Sequence, residues 1–445
     1  MACGDGGVGL DGGGDPDTVP TFSPANFSDP LAINNPYWTL TPNTTSIIFE
    51  QAVAGPEIIV VEVLDETRIV AGVPTRVVRD RVFVDGLLVE DTHDWYAQDD
   101  DGNVWYMGEA VIDYVHDAND VLIETATDGS WEAGVGGARP GYQMLANPTV
   151  GQIYHQEYSR GIAEDAAEVI AVGAPVTLAD GTQYAALQTR DFSTLEPTLQ
   201  EYKYYASGIG TIKLSQVDGS DVGELLGVFD VGQPSPTFDV AKFSNPTEID
   251  NPLQPLTPGA TLNYESSEET IEYEVTNRTK VVAGVTTRVI NDRVYDLDGV
   301  IVEDTDDWFA QDDAGNVWYM GEAVKNYNYD EDGNLIDITN EGSWEAGVDG
   351  AQPGVNMWAA PAVRTSYRQE LYRGTAEDMA FVIRTDATIR LSDGTVYTGC
   401  LQTLDWVPLD PAAVEYKYWA PGIGLVYSTH VELPDEAVEL AEVVP

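Results

Sequence analysis

Acidic side chains that recur at matching positions in two halves of the chain are the residues most able to do chemistry. Two carboxyl groups held about 5 to 9 Å apart can hydrolyse a glycosidic bond. The chain has 75 Asp and Glu residues among 445, so carboxylate pairs also arise without a function, as ion pairs with Lys or Arg. The matched acids are Glu109 and Glu322, Glu132 and Glu345, Glu157 and Glu370, Glu164 and Glu377, Asp165 and Asp378, and Glu201 and Glu415, accompanied by Arg160 and Arg373 and by Lys203 and Lys417.

Histidine and cysteine offer no catalytic set that both halves share. None of the four histidines recurs at a matching position, so neither a Ser-His-Asp nor a Cys-His arrangement is present twice. We therefore assign no catalytic residue. A carboxylate-dependent hydrolase such as a glycosidase stays as the alternative to a binding function.

Aromatic residues beside amides and acids give the stronger functional prediction. Ring faces take the apolar side of a sugar or an amphiphile, and polar groups fix its orientation. Trp and Tyr also fill β-sheet cores, and Trp95 and Trp131 fit that structural role best. The predicted ligand-binding residues are Gln98, Asn103, Trp105, Glu109, Glu132, Gln156 and Tyr202 in the first half and Gln311, Asn316, Trp318, Glu322, Glu345, Gln369 and Tyr416 in the second.

An acidic turn in the second half has the composition of a calcium-binding loop. Asp330, Asp332 and Asn334 place oxygen ligands at positions 1, 3 and 5 of such a loop, and Glu341 stands at position 12. Gly333 stands at position 4, whereas an EF-hand loop needs its glycine at position 6. Such strings also form β-hairpin turns, because Gly and Asn accept positive φ. Ca²⁺ is thus the metal ion to which this turn points, and no cofactor is required. A transition-metal site at His93 and His116, which flank one predicted hairpin, is the weaker alternative.

These residues are carried by a tandem repeat. Residues 89–111 and 302–324 are identical at 20 of 23 positions, and matching segments extend across about 195 residues on each side. We predict a flexible Gly/Asp-rich tether over 1–21, a first domain over 22–216 and a linker over 217–237. A second domain over 238–432 and an acidic tail over 433–445 follow.

The pattern within each repeat predicts strands and tight turns. Residues 75–84 and 87–97 alternate in polarity around Asp85-Gly86, which is a hairpin signal. Period-two spacing places Asp94, Tyr96 and Gln98 on one face of their strand. Only residues 162–170 and 375–383 are ambiguous between helix and strand. We predict a mainly β protein with two tandem homologous domains, each a curved antiparallel sheet, half-barrel or sandwich.

Charge and cysteine content indicate where the protein acts. A formal net charge of −54 argues against a nucleic-acid partner, because phosphate binding needs a basic face. The same surplus of acidic over basic residues is typical of a salt-adapted, halophilic surface, although an acidic secreted protein would share it.

Cys3 within Met1-Ala2-Cys3-Gly4 resembles the mature end of a bacterial lipoprotein, which implies lipidation at Cys3 if a signal peptide was trimmed. An incidental cysteine in a Gly-rich tail is the alternative.

Four motifs together resemble a family of uncharacterised bacterial proteins that are secreted or lipid-anchored. The motifs are N-P-x-x-x-L-T-P, W-(Y/F)-A-Q-D-D-x-G-N-V-W-Y-M-G-E, G-S-W-E-A-G-V and E-Y-K-Y-(Y/W)-A-x-G-I-G. The closing segment is also similar to the last strands of TapB-type proteins and, more distantly, to the half-barrel of LolA-like lipoprotein carriers. The resemblance implies a curved sheet with a concave ligand face, and it brings no catalytic residues.

We therefore expect a monomeric, non-catalytic lipoprotein or secreted protein with two similar β domains that bind a ligand, and a purely structural envelope protein is a further alternative. The ligand would be a glycan, an amphiphile, a divalent cation or a partner protein. We expect an extracellular, outer-surface or periplasmic location, with the membrane reached only through a lipid on Cys3.

Overall fold

The computed structural model describes residues 19–52, 55–330 and 332–445. Cys3 and nearly all of the predicted tether lie outside these residues. Of the described residues, those up to Leu226 form one compact unit and those from Gly227 form a second. Each unit is a nearly closed, barrel-like antiparallel sheet, which confirms the prediction of a mainly β protein with two tandem curved sheets.

The first unit carries the strands β1 to β17. Their bounds are β1 Asn34–Asn35, β2 Trp38–Thr39, β3 Thr44–Ala52, β4 Gly55–Val70, β5 Val73–Val84, β6 Leu87–Gln98, β7 Val104–His116, β8 Leu122–Ala126, β9 Trp131–Glu132, β10 Arg139–Met144, β11 Ile153–His155, β12 Glu157–Tyr158, β13 Asp165–Thr177, β14 Gln183–Ser193, β15 Gln200–Ala206, β16 Gly210–Gln216 and β17 Val222–Asp230, whose last residues belong to the second unit. The order across the sheet is β11-β13-β14-β15-β16-β17-β3-β4-β5-β6-β7-β10-β12, with β8 and β9 also paired to β7.

The second unit repeats this plan with β18 to β33. Their bounds are β18 Thr261–Glu265, β19 Glu269–Val282, β20 Val285–Asp296, β21 Ile301–Gln311, β22 Val317–Ala323, β23 Asn326–Tyr329, β24 Leu335–Thr339, β25 Trp344–Glu345, β26 Gln352–Met357, β27 Ser366–Arg368, β28 Glu370–Leu371, β29 Met379–Arg390, β30 Val396–Val407, β31 Asp410–Ala420, β32 Gly424–His430 and β33 Val438–Val444. The order is β27-β29-β30-β31-β32-β33-β18-β19-β20-β21-β22-β26-β28. Short 3-10 turns cover Pro24–Asn26, Val240–Lys242 and Pro434–Glu436.

The predicted hairpins lie where the sequence places them. Asp85 and Gly86 have φ values of 48° and 75° and join β5 to β6, as two consecutive positive φ angles require in a two-residue turn. The two stretches that were ambiguous between helix and strand lead into β13 and β29.

Strands occupy part of the predicted linker over 217–237 and of the predicted acidic tail over 433–445. β17 lies between β16 and β3, and β33 lies between β32 and β18, so each completes its sheet. Gly223 looks like a linker glycine in the sequence. A Cβ atom added there would come within 2.8 Å of the Leu214 side chain, so the glycine permits close strand packing.

Candidate ligand-binding site

An irregularity in β7 brings two polar side chains to one face of the first sheet. Asp94 of β6 pairs with Glu109 of β7 and Tyr96 with Tyr106, and the register shifts between these pairs. Tyr106 and Glu109 are three residues apart, yet the shift puts them on the same face. Gly108, between them, has φ 137°, and a Cβ atom there would lie 2.5 Å from the Trp131 carbonyl oxygen. Only glycine fits this position.

The Tyr106 hydroxyl joins two carboxyl groups. Its oxygen lies 2.5 Å from Asp94 Oδ1 and 2.7 Å from Glu109 Oε2. A phenol has one hydrogen and can donate to only one of them. The second contact is a hydrogen bond only if the other carboxyl carries a proton and donates to the phenol oxygen. The geometry therefore holds one extra proton. In the second unit, Tyr319 keeps the first contact, at 2.6 Å from Asp307 Oδ1.

Burial makes these carboxyl groups retain protons. It raises the pKa of Asp94 well above its ordinary value, and the nearby Glu109 carboxyl adds to the effect. Burial raises the pKa of Glu109 to about 7, although the hydrogen bond with Tyr106 acts in the opposite direction and lowers this pKa. In the second unit, burial raises the pKa of Asp307 to about 7 and that of Glu322 to about 8.

Two more acids complete the group. Glu157 is 6% exposed, and burial followed by repulsion from Glu109 and Asp165 raises its pKa well above the ordinary value. A hydrogen bond from the Trp131 side chain acts against these increases by lowering the pKa of both Glu157 and Glu109. Asp165 is half-buried and its counterpart Asp378 is exposed, so the group reaches solvent there. We call Asp94, Tyr106, Glu109, Glu157 and Asp165, with their counterparts Asp307, Tyr319, Glu322, Glu370 and Asp378, the acidic clusters.

The nearest lysine is already paired. Lys203 Nζ lies 3.5 Å from Asp191 Oδ2 and 3.4 Å from Glu201 Oε2, and its side chain is 34% exposed. Burial lowers the pKa of Lys203, but the Glu201 and Asp191 carboxylates outweigh it, so the net pKa is well above its ordinary value. Gln156 donates to Asp191 at 3.2 Å. Lys417, Asp405, Glu415 and Gln369 repeat this group in the second unit.

Aromatic rings stand beside the acidic clusters. Tyr96 stacks on Tyr106 with ring centres 5.0 Å apart, and Trp131 meets Tyr106 edge-on at 5.5 Å. The second unit places Phe309, Tyr319 and Trp344 in the same arrangement.

Three predicted ligand-binding residues of each unit make hydrogen bonds that hold a turn or a neighbouring segment, and their binding role stays a prediction. Trp105 Nε1 donates to Asp99 Oδ2 at 2.8 Å and Asn103 Nδ2 does so at 2.9 Å. Gln98 Oε1 accepts two backbone N–H groups, from Asn34 and Asn35, at 2.9 Å each. Gln311, Asn316 and Trp318 make the same contacts around Asp312 and residues 250–251.

Glu132 and Tyr202 lie apart from the acidic cluster. Glu132 Oε2 pairs with Arg68 at 2.6 Å, and that guanidinium lies over the Trp95 ring at 4.2 Å. Tyr202 alternates with Glu201 and Lys203 along β15, so it occupies the opposite sheet face. Their counterparts Glu345, which pairs with Lys280, and Tyr416 occupy the same positions in the second unit.

Two of the seven predicted positions in each unit therefore lie at this site. Glu109 and Glu322 belong to the acidic clusters, and Gln156 and Gln369 belong to the lysine groups. Glu157 and Asp165 are repeated acids of the sequence but are not among the predicted ligand-binding residues. The alternation that puts Asp94 and Tyr96 on one strand face is the sequence signal for this site.

The predicted calcium residues form a compact turn. Asp330 Oδ1 accepts the backbone N–H groups of Asp332 at 3.0 Å and Asn334 at 2.7 Å. This is the pattern of an Asx turn. Among the described residues, no group of three or more His, Cys, Asp or Glu side chains is arranged to hold a metal ion. Calcium binding stays a prediction.

Comparison with known proteins identifies no family for this chain. No family model matches the chain, and no curated protein matches it. A solved structure of a predicted exported protein with a YmcC-like fold, from Bacteroides fragilis NCTC 9343, is similar at 15% identity and a TM-score of 0.24, covering 43% of this chain and 98% of that one. No helix in the described ranges is long and apolar enough to span a membrane. The resemblance to secreted or lipid-anchored bacterial proteins, and to TapB-type and LolA-like proteins, stays a prediction.

Proposed function

We propose that the protein is a non-catalytic binding protein with one ligand site at the acidic cluster of each unit. The observation that carries this proposal is the burial of Asp94, Glu109 and Glu157 without a basic partner. None of them forms an ion pair within the described residues. Burying carboxyl groups in this way opposes folding, and both units contain the arrangement. Shifted carboxyl groups in such a setting are typical of functional sites.

The ligand classes expected from the sequence fit such a site to different degrees. Rings beside carboxyl groups suit a glycan or an amphiphile, and a partner protein or a divalent cation would use the charge. Two linked sites would raise the overall affinity through effective concentration.

We further propose that the protein acts outside the cytoplasm and is held at a membrane by a lipid on Cys3. Ca²⁺ at Asp330, Asp332 and Asn334 would be a separate, structural site.

A binding screen with matched variants tests this function. Glycans, fatty acids, Ca²⁺ and envelope extracts are titrated against the wild type and against Glu109→Gln with Glu322→Gln. The control carries Glu132→Gln with Glu345→Gln, which changes the same residue type in half-buried ion pairs outside the acidic clusters. A ligand bound by the wild type and the control, but not by the first pair, supports the proposal. A ligand bound equally by all three places the site elsewhere.

The hydrolase alternative has one observation in its favour. With pKa values of about 7 and about 8, Glu109 and Glu322 can hold a proton near neutral pH as a general acid does. Glu157 would be the second carboxyl group. Release of nitrophenol from a panel of nitrophenyl glycosides, abolished by Glu109→Gln with Glu322→Gln, would favour this reaction over binding alone.

A further inference from the structure

We propose that the outer edges of β8 and β24 are docking sites, at which an extended basic segment of a partner protein adds to the sheet as one more strand. This inference goes beyond the proposed function, because it concerns a surface other than the acidic clusters. The expected segment alternates lysine or arginine with apolar residues.

Both strands are edges of their sheets. Among the described residues, β8 pairs only with β7, and β24 pairs only with β23. A strand with one neighbour leaves a row of N–H and C=O groups unpaired, and an extended chain can bond to such a row. Each edge strand is five residues long, which corresponds to about 17 Å of paired backbone.

Apolar side chains stand in water along both edges. Residues 122–125 of β8 and 335–338 of β24 are all exposed, so both faces of each strand are open to solvent. Leu122 and Ile123 lie on the first edge, and Leu335, Ile336 and Ile338 lie on the second. Apolar groups that are exposed together and surrounded by polar residues are typical of interaction sites.

An irregularity in the pairing presents one isoleucine on each edge in the same way. Ile123 has no partner on β7, although Leu122 and Glu124 on either side of it do. Ile336 is left out of the pairing between β24 and β23 in the same manner. An extra residue of this kind re-aims its side chain, and the two isoleucines are 62% and 64% exposed. The preceding turns differ in sequence, so the exposed isoleucine is the element that the two units share.

The charge around both edges selects a basic occupant. Residues 113–128 contain five Asp or Glu and no Lys or Arg, and residues 326–341 contain the same numbers. Glu124 and Asp337 stand on the edge strands themselves, directly after the isoleucines. These acids would repel a second copy of this chain, whose formal net charge is −54, and also an anionic membrane surface. A strand with Lys or Arg opposite them would be attracted.

A short basic peptide tests the inference. Acetyl-KVKVKVK-amide is titrated into the full chain by calorimetry at pH 7 and low salt, and amide hydrogen exchange is followed in β8 and β24. We expect two peptides to bind per chain and exchange to slow in both strands. Acetyl-EVEVEVE-amide has the same apolar content and the opposite charge, so it should not bind. The basic peptide with every backbone nitrogen methylated cannot donate to the edge, so it should bind about tenfold more weakly.

Matched variants locate the contact. Ile123→Lys with Ile336→Lys replaces an apolar contact by a charge that repels the peptide, so affinity should fall about tenfold. The control is Ile69→Lys with Val281→Lys, which adds the same charge. These two residues are 72% and 64% exposed, but they lie on β4 and β19, which have neighbours on both sides. Affinity for the peptide should therefore stay within about twofold of the wild type.

Several results would overturn the inference. They are absence of binding by the basic peptide, equal binding of its methylated form, equal binding to both pairs of variants, and slowed exchange only outside β8 and β24. Sedimentation of the wild type alone tests the other occupant. Self-association that Ile123→Lys with Ile336→Lys abolishes would make a second copy the occupant and overturn the inference. Glu109→Gln with Glu322→Gln should bind the peptide as the wild type does, so this inference and the proposed function can fail separately.

Discussion

The hydroxyl of Tyr106 lies 2.5 Å from a carboxylate oxygen of Asp94. These residues come from neighbouring strands, β6 and β7, and the counterpart contact in the second unit measures 2.6 Å. A phenol that stays bonded to a buried acid in both units is part of the common architecture. Because Glu109 shares the same hydroxyl, the contact also sets how many protons the cluster must hold.

Removing that hydroxyl should destabilise the first unit. In Tyr106→Phe, Asp94 and Glu109 lose their common partner while the ring still packs on Tyr96. A buried polar group left without its hydrogen bond typically lowers the free energy of unfolding by about 1 to 3 kcal/mol. Urea denaturation at pH 6 measures this change. Tyr202→Phe, on the other sheet face, should change stability by less than about 0.5 kcal/mol.

The buried carboxyl groups should make the protein more stable in mild acid. Glu109 has a folded-state pKa of about 7, above its ordinary value of 4.5, so the folded state binds more protons than the unfolded state between these values. Stability must then fall as pH rises through this window. For Glu322, whose folded-state pKa is about 8, the fall extends to higher pH. The melting temperature measured from pH 5 to pH 8.5 should decrease accordingly.

The isosteric amide separates this effect from general charge repulsion. The amide in Glu109→Gln cannot ionise. At pH 8 the free energy of unfolding of this variant should therefore exceed that of the wild type by about 1 kcal/mol, and at pH 5 the difference should vanish. Glu132→Gln, a change of the same kind in a half-buried ion pair with Arg68, should not alter the pH profile. A parallel shift of both variants would assign the profile to the net charge of the whole chain.

The sequence predicts the strands and hairpins well because each is a local pattern. Asp85-Gly86 specifies a turn by backbone conformation alone, and alternation places Asp94 and Tyr96 on one face. In β7, regular alternation would put Tyr106 and Glu109 on opposite faces of the sheet. The structure puts them on the same face because of the register shift at Gly108. That shift depends on the close approach of the Trp131 backbone, which the sequence of one strand does not encode.

The rest of the site depends on long-range packing. Glu157 and Asp165 reach the cluster from β12 and β13, which are distant in sequence from β6 and β7. Their role follows from the curvature of the sheet, and no spacing in the sequence expresses it. Trp105 and Asn103 were predicted to bind ligand from composition alone. Both bond Asp99, because a buried indole N–H needs an acceptor and the acidic turn supplies one, and this contact could not be read from composition.

A side chain at Gly108 should disrupt the register on which the cluster depends. Gly108→Ala would place a methyl group 2.5 Å from the Trp131 carbonyl oxygen, in a backbone conformation with φ 137°. We expect a loss of about 2 to 4 kcal/mol in the free energy of unfolding. Gly129→Ala is the matched control, because its Cβ would meet Val111 at 3.4 Å. That contact is ordinary, and the effect should stay within about 0.5 kcal/mol.

Asp99 and Asp101 should differ sharply although they stand in the same turn. Asp99 is 8% exposed and accepts hydrogen bonds from Trp105 Nε1 and from the backbone and side chain of Asn103. Asp99→Ala leaves the buried indole N–H without an acceptor, so we expect a loss of about 2 to 3 kcal/mol in urea denaturation. Asp101 is exposed, and the second unit has Ala314 in its place, so Asp101→Ala should change stability by less than about 0.5 kcal/mol. Similar losses for both variants would mean that the turn acts through its total charge, and added Ca²⁺ would then raise the stability of the wild type but of neither variant.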